Sequence, residues 1–116
     1  MTTKIGFLNR KLQGICTQKK KAAKHLPGHI KPELLFQRLN ELHAFANLGE
    51  IPFQTTPLHF HPLREDQRGR FAVTLHGKYR IVFEPAGTFE RNDDGTPIKE
   101  TVTEITIYAV EDYHGK

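Results

Sequence analysis

Residues 71–83 read Phe-Ala-Val-Thr-Leu-His-Gly-Lys-Tyr-Arg-Ile-Val-Phe, and this stretch decides the fold. Large apolar side chains alternate with smaller or polar ones on both sides of His76-Gly77, which is the period of a half-buried strand. Glycine tolerates positive φ, so His76-Gly77 suits a tight connection. The stretch therefore predicts a β-hairpin. Arg80 stands on the face opposite Tyr79 and Ile81, and a cation there requires an anion, either a carboxylate of the fold or a phosphate.

Helices are predicted on the N-terminal side of this hairpin. Residues 8–17 place apolar side chains at helical spacing, and the lysines that follow either extend this helix or form a solvated connector. A second helix is expected to start near Pro32, which suits a first helical turn. Its apolar stripe runs to Ala46, and Asn47-Leu48-Gly49 supplies the stop. Residues 4–7 predict a short strand, and another is predicted to begin at Leu58-His59-Phe60, with His59 and His61 on one face, and to end at Pro62.

On the C-terminal side, residues 85–103 form a long polar excursion before a last strand near residues 102–110. Asp94-Gly95 marks the tip of an extended hairpin, and we expect this segment to be the most mobile. The coarse order is β-α-α-β-β-β-β, with a marginal first strand. This order predicts an α+β fold, with two N-terminal helices packed on one face of a mostly antiparallel sheet.

Length and composition predict a single domain over residues 1–116, with 37% hydrophobic and 26% charged residues. No apolar run approaches the ~20 residues of a membrane span, and the N-terminus lacks an apolar signal-peptide core. The single Cys16 favours a reducing, cytoplasmic setting. Residues 1–50 carry a net charge of +6 and residues 51–116 a net charge of −2. This asymmetry favours a polyanionic partner.

Three polar clusters could do chemistry: His61 with Arg64, Arg80, and Asp112-Tyr113-His114. Together they match the needs of RNA strand cleavage, in which a 2′-hydroxyl loses a proton, a phosphorane gains charge and a 5′-oxygen is protonated. Histidine transfers protons near neutral pH, and arginine presents a fixed fork of donors to phosphoryl oxygens. This scheme requires no metal and no cofactor. The candidates for contacts to the RNA backbone are Lys19, Lys20, Lys21, Arg68, Arg70 and Lys78.

Other readings of these residues stay open. His59, His61 and His114 could ligate zinc. Cys16 could be a nucleophile, although its place on the apolar stripe favours the core. The lysine run at 19–21 could be only a solubilising face. The remaining histidines, for which surface or capping roles suffice, are His25, His29, His43 and His76.

Three motifs in this order resemble the HigB-like (plasmid maintenance or host-killer) branch of the RelE/ParE toxin superfamily. They are His61-Pro62-Leu63-Arg64-Glu65-Asp66 with Gly69 and Phe71, then Tyr79-Arg80-Ile81-Val82-Phe83, then Glu111-Asp112-Tyr113-His114. The resemblance implies a β-α-α-β-β-β toxin of a type II toxin–antitoxin system, which cleaves mRNA in the ribosomal A site. It also implies a HigA-like helix-turn-helix antitoxin as partner, with operator DNA bound only through that antitoxin and no role for a membrane.

Carried over by motif, His61 and His114 would transfer protons and Arg80 would stabilise the transition-state charge. Arg64 would stabilise the phosphate or the leaving group, Asp112 would orient a histidine and Tyr113 would position the RNA. The chain departs from the family's usual pattern in having Arg64 for Lys, Phe71 for Trp, and a longer excursion after Pro85. Two alternatives remain: a gyrase-poisoning toxin on the same fold, and a catalytically silent module that only pairs with an antitoxin.

Overall fold

The computed structural model describes residues 2–52, 58–64 and 67–112. Within them the class is α+β, as predicted, with a five-stranded sheet and three helices. The elements follow one another as β1 (Lys4–Phe7), α1 (Arg10–Thr17), α2 (Lys19–His25), α3 (Pro32–Ala44), β2 (His61–Pro62), β3 (Phe71–His76), β4 (Tyr79–Pro85) and β5 (Glu104–Asp112). Single 3-10 turns lie at Leu48–Glu50 and Lys99–Thr101.

The helical layer has one helix more than predicted, because the chain leaves helical conformation at Gln18. The backbone of this residue is extended, with φ −122° and ψ 120°, and its N–H still donates to the Gly14 carbonyl that closes α1. The lysine run therefore forms a separate helix, α2. Asn9 begins α1 by accepting a hydrogen bond from the Leu12 N–H on its side chain, at 2.9 Å, which satisfies one of the free donors of the first turn.

Helix α3 starts at Pro32, as predicted, and buries Leu35, Leu39 and Leu42. It ends at Ala44, two residues before the end of the predicted stripe, because Phe45 has extended backbone. No helix in the described part of the chain is both long and apolar enough to cross a membrane.

The sheet has the strand order β1-β5-β4-β3-β2. β1 pairs with β5 in parallel, and the three other pairings are antiparallel. The central hairpin is confirmed: Phe71 pairs with Phe83 and Val73 with Ile81, and Gly77 turns the chain at φ +55°. The strand predicted to begin at Leu58 and end at Pro62 begins later than expected, at His61, and is β2.

The core lies between the helices and one face of the sheet. Alternate residues of β3 and β4 enter this core, among them Phe71 and Phe83, whose rings stack with the fully buried ring of Phe60. The other face carries Ala72, Thr74, Arg80 and Val82, which alternate with the core residues along the same two strands.

The excursion between β4 and β5 folds as a hairpin with its tip at Asp94-Gly95, as predicted. Arg91 and Pro97 pair across it, the Asn92 N–H donates to the Thr96 carbonyl at 2.7 Å, and Gly95 takes φ +89°. At its base the Ala86 N–H donates to the Glu104 carbonyl at 2.9 Å. These hydrogen bonds give the excursion a defined course back toward the start of β3.

Candidate functional site

His61 and Arg80 lie on the same face of the sheet, away from the helices. His61 pairs with Ala72 across β2 and β3, and Arg80 pairs with Thr74 across β3 and β4. Residues paired directly across strands share a face, as do residues two apart on one strand. We call the surface formed by His61, Thr74, Arg80 and Glu111 the polar face. Strand spacing and rise place the Cα atoms of His61 and Arg80 about 12 Å apart.

Arg80 meets a carboxylate within the fold. Its Nη2 donates to Glu111 Oε2 at 2.9 Å, and the side chains are 15% and 36% exposed. The two residues are direct partners in the β4–β5 pairing. The anion that the sequence required beside Arg80 is therefore present, and a phosphate that binds Arg80 would have to share the guanidinium with Glu111 or displace it.

His61 is held by its own chain. Its Nδ1 lies 2.7 Å from the His59 carbonyl oxygen, and a carbonyl can only accept, so Nδ1 carries the proton in this contact. In the neutral ring the lone pair then lies on Nε2. The half-buried His61 thus presents a nitrogen that can accept a proton. His59 itself adopts φ +48°, a conformation in which histidine is enriched among non-glycine residues.

Asp112 does not join the polar face through its strand pairing. Asp112 pairs with Tyr79, whose ring packs against the core. Because directly paired residues share a face, the position of Asp112 in the strand is on the helix side of the sheet. Burial raises the pKa of the Tyr79 phenol above its usual value, and the charges of Asp112 and Glu111 raise it further. Tyr113 and His114 lie outside the residues that the structure describes.

Arg64 is also separated from Arg80. β2 runs antiparallel to β3, so the chain after His61 moves toward the start of β3 and away from the Arg80 row. There the Leu63 N–H donates to the Arg70 carbonyl at 2.9 Å. Arg64 lines a cavity of about 390 Å³ together with Arg68, Arg70 and Lys99. We call this the basic cavity.

An adjoining cavity of about 280 Å³ shares Arg68 and Arg70 and is also lined by Arg91. Arg70 is fixed by two contacts: its Nε lies 3.4 Å from Glu84 Oε2, and its guanidinium lies 3.6 Å from the centre of the Tyr108 ring. The sequence analysis missed Glu111, Arg91 and Lys99. For Glu111 the sequence gives no signal, because a bulge in β5 reverses the alternation that would assign its face.

The predicted lysine contacts are spread over other surfaces. Lys19, Lys20 and Lys21 are exposed on α2, within the helical layer, and Lys19 pairs with Glu33 at 2.9 Å. Lys78 is exposed in the turn between β3 and β4. None of these four residues lies on the polar face.

The other candidate residues have structural surroundings. Cys16 is buried in the core, as expected, and burial raises the pKa of its thiol to about 12. His25 and His43 contact the backbone carbonyls of Val110 and Thr3, at 2.7 and 2.9 Å. His59 and His61 have ring centres 5.5 Å apart. Among the described residues no group of three His, Cys, Asp or Glu is arranged to hold a metal ion. A zinc site at His59 and His61 would also need His114, which lies outside the described residues, so it stays a hypothesis.

No family model matches the chain, and no curated protein matches it either.

Proposed function

We propose that this chain is the toxin of a type II toxin–antitoxin system, a ribosome-dependent endoribonuclease that cleaves mRNA by metal-independent acid–base chemistry. The observation that carries the proposal is the placement of His61 and Arg80 on one face of the sheet. The α+β order, with α1 and α2 taken together as one interrupted helix, is compatible with the RelE/ParE-like arrangement that the motifs imply.

Two steps of the reaction can be assigned to described residues. His61 Nε2 accepts the proton of the 2′-hydroxyl, since its Nδ1 is committed to the His59 carbonyl. Arg80 donates to the equatorial oxygens of the phosphorane, where a fixed cation stabilises developing charge. An extended arginine and a histidine whose Cα atoms are about 12 Å apart can both contact one phosphodiester between them. The resemblance gives His114 as the second proton-transfer residue, and in this scheme it protonates the leaving group, with Tyr113 positioning the RNA and Asp112 orienting a histidine.

The partners follow from the same proposal. A HigA-like helix-turn-helix antitoxin holds the toxin inactive, and the ribosome presents the mRNA. Operator DNA is contacted only through the antitoxin, and the toxin acts in the cytoplasm.

One observation favours a second candidate, the catalytically silent antitoxin-binding module. The Arg80 guanidinium is already matched by Glu111 at 2.9 Å, which is what a purely structural arginine would show. The two candidates differ in whether the chain inhibits growth when no antitoxin is present.

The test is expression of wild type and variants without antitoxin, with growth measured and mRNA ends mapped by primer extension. We expect wild type to inhibit growth and to generate new mRNA ends, and Arg80→Ala and His61→Ala each to lower cleavage by about 10²–10³-fold. The matched control is Arg38→Ala. Arg38 pairs with Glu41 at 3.0 Å with the same exposures, 15% and 36%, but lies on α3. It should keep full activity.

Three outcomes would contradict the nuclease proposal. Wild type without any effect on growth would favour the silent module. DNA breaks with intact mRNA would favour the gyrase-poisoning toxin. A folded Arg80→Ala, His114→Ala double variant that is as toxic as wild type would refute the assigned residues.

A further inference from the structure

The basic cavity is built by two segments that are far apart in sequence. One is the connection from β2 to β3, which contributes Arg64, Arg68 and Arg70, and the other is the excursion after β4, which contributes Lys99. The described lining residues include these four cations and no carboxylate. The excursion is therefore a structural part of the cavity.

The lining combines cations with apolar surface. Pro62, Leu63, Phe71 and Pro97 supply the apolar part, and Asn92 and Thr96 add an amide and a hydroxyl. The volume of about 390 Å³ falls in the range of small-ligand sites. A nucleotide has the matching chemistry, since its base needs apolar surface and its phosphate needs the donor fork of an arginine.

Two of the described carboxylates interact with cations of the cavity. Glu84 contacts Arg70 at 3.4 Å. Asp94 accepts hydrogen bonds from Thr96, which hold the pKa of its carboxyl below the usual value, and the charge of Arg68 lowers it further. Asp94 is therefore ionised at neutral pH. Four cations converge on the described lining of one cavity, and this arrangement suits a phosphate.

The cavity lies directly beside the polar face. His61 precedes Pro62, Leu63 and Arg64, so β2 leads from the proposed proton acceptor into the cavity wall. An RNA strand that crosses the polar face at His61 would thus have an adjacent nucleotide at the cavity.

We propose that the basic cavity binds one nucleotide of the RNA strand next to the cleaved linkage, and that the excursion provides its second wall. This inference rests on the proposed function for the identity of the strand. The nucleotide-binding property can be measured independently of cleavage.

The probe is a fluorescent single-stranded RNA hexanucleotide with 2′-O-methyl groups throughout, which removes the attacking hydroxyl. It is titrated by anisotropy against the full chain at several salt concentrations. We expect Arg68→Ala and Lys99→Ala each to weaken binding by about tenfold, the scale of one lost charge-assisted contact, and to reduce the salt slope by about 0.7. AMP should displace the probe far better than adenosine does.

The matched controls are Arg10→Ala and Lys31→Ala, which remove exposed cations outside the cavity and should leave affinity and salt slope unchanged. If the cavity variants bind as wild type does, or if adenosine competes as well as AMP, the inference is overturned. Reduced antitoxin binding with unchanged hexanucleotide affinity would overturn it in favour of a protein-binding surface.

Failure of the nuclease proposal would look different. Wild type would then leave mRNA intact in cells while Lys99→Ala still loses hexanucleotide affinity, and the cavity would stand as a nucleotide site without cleavage. Conversely, cleavage could depend on Arg80 while Lys99→Ala changes neither binding nor cleavage. That result would support the nuclease proposal and overturn the proposed nucleotide site in the cavity.

Discussion

The polar face and the basic cavity hold their cations in opposite ways. On the polar face Arg80 stands in a regular strand and is met by Glu111 from the paired strand at 2.9 Å. In the cavity four cations come from two segments outside the strands and share nearby carboxylates such as Glu84. The partner of Arg80 is fixed by strand pairing, whereas the positions of the cavity cations depend on how two connecting segments fold. The cavity is therefore the surface more sensitive to changes in those segments.

Truncation of Phe83 should disrupt the polar face and the basic cavity together, and it has the largest expected effect. Its ring is fully buried and stacks with those of Phe60 and Phe71, at centre distances of 6.1 and 6.3 Å. Phe71 also lines the cavity. Phe83→Ala should lower the free energy of unfolding by about 3–5 kcal/mol, measured by chemical denaturation, because it leaves a cavity beneath both surfaces.

The control is Phe83→Leu, which keeps most of the buried volume and should cost less. If Phe83→Ala lost stability while hexanucleotide binding and growth inhibition both stayed at wild-type level, the common support of the two surfaces would be disproved.

The sequence predicted the polar face in part, because alternation along the hairpin assigns Arg80 to the face opposite Ile81. It did not predict Glu111 as the partner. Regular strand alternation from the core residues Ile105 and Ile107 would place Glu111 on the core face. A bulge near Tyr108 reverses this count, since Val82 pairs with Ala109 but Phe83 pairs with Ile107. No glycine marks the bulge, so the pattern alone could not reveal it.

The basic cavity was harder to predict. Arg64 was grouped with His61 because the two are close in sequence, yet the direction of β2 carries Arg64 away from Arg80. The contribution of Lys99 depends on the excursion folding back toward β3, which is a contact between distant segments. Asp94-Gly95 predicted where the excursion turns but not where its arms lie.

Substitutions in two glycine turns can test the polar face and the basic cavity separately, and they have the next largest expected effect. Gly95, at φ +89°, turns the excursion that forms the cavity wall, and Gly77, at φ +55°, turns the hairpin near Arg80. Neither glycine has a heavy atom within 4 Å of an added Cβ, so strain comes from the backbone alone. We expect Gly95→Ala to cost about 1–2 kcal/mol in thermal unfolding. It should also weaken hexanucleotide binding.

Gly77→Ala is the comparison for this turn. It should cost about 1 kcal/mol and leave hexanucleotide binding unchanged, since φ +55° lies in the left-handed region and the turn does not line the cavity. Equal losses of binding in the two variants would contradict the separation.

A smaller effect is expected when the charge balance of the polar face is altered. Glu111→Gln keeps the size of the side chain and removes the charge that competes for Arg80, so hexanucleotide affinity should rise by about two- to fivefold. The free energy of unfolding should fall by no more than about 1 kcal/mol, because Glu111 is 36% exposed. Glu41→Gln alters the matched pair on α3 and should leave affinity unchanged. Weaker binding by Glu111→Gln would show that Glu111 supports the site.

The smallest expected effect is an unchanged rate of chemical labelling at Cys16. Its side chain lies in the core on the helix side of the sheet, behind both surfaces, and burial raises the pKa of the thiol to about 12. At pH 8 the native state therefore holds almost no thiolate, which is the reactive form, and labelling by a thiol reagent must follow opening of the fold. Arg80→Ala and Lys99→Ala should be labelled at the wild-type rate, whereas Phe83→Ala should be labelled faster. Faster labelling of either surface variant would mean that its loss of binding or cleavage reflects unfolding, and the assignment of that surface would fall with it.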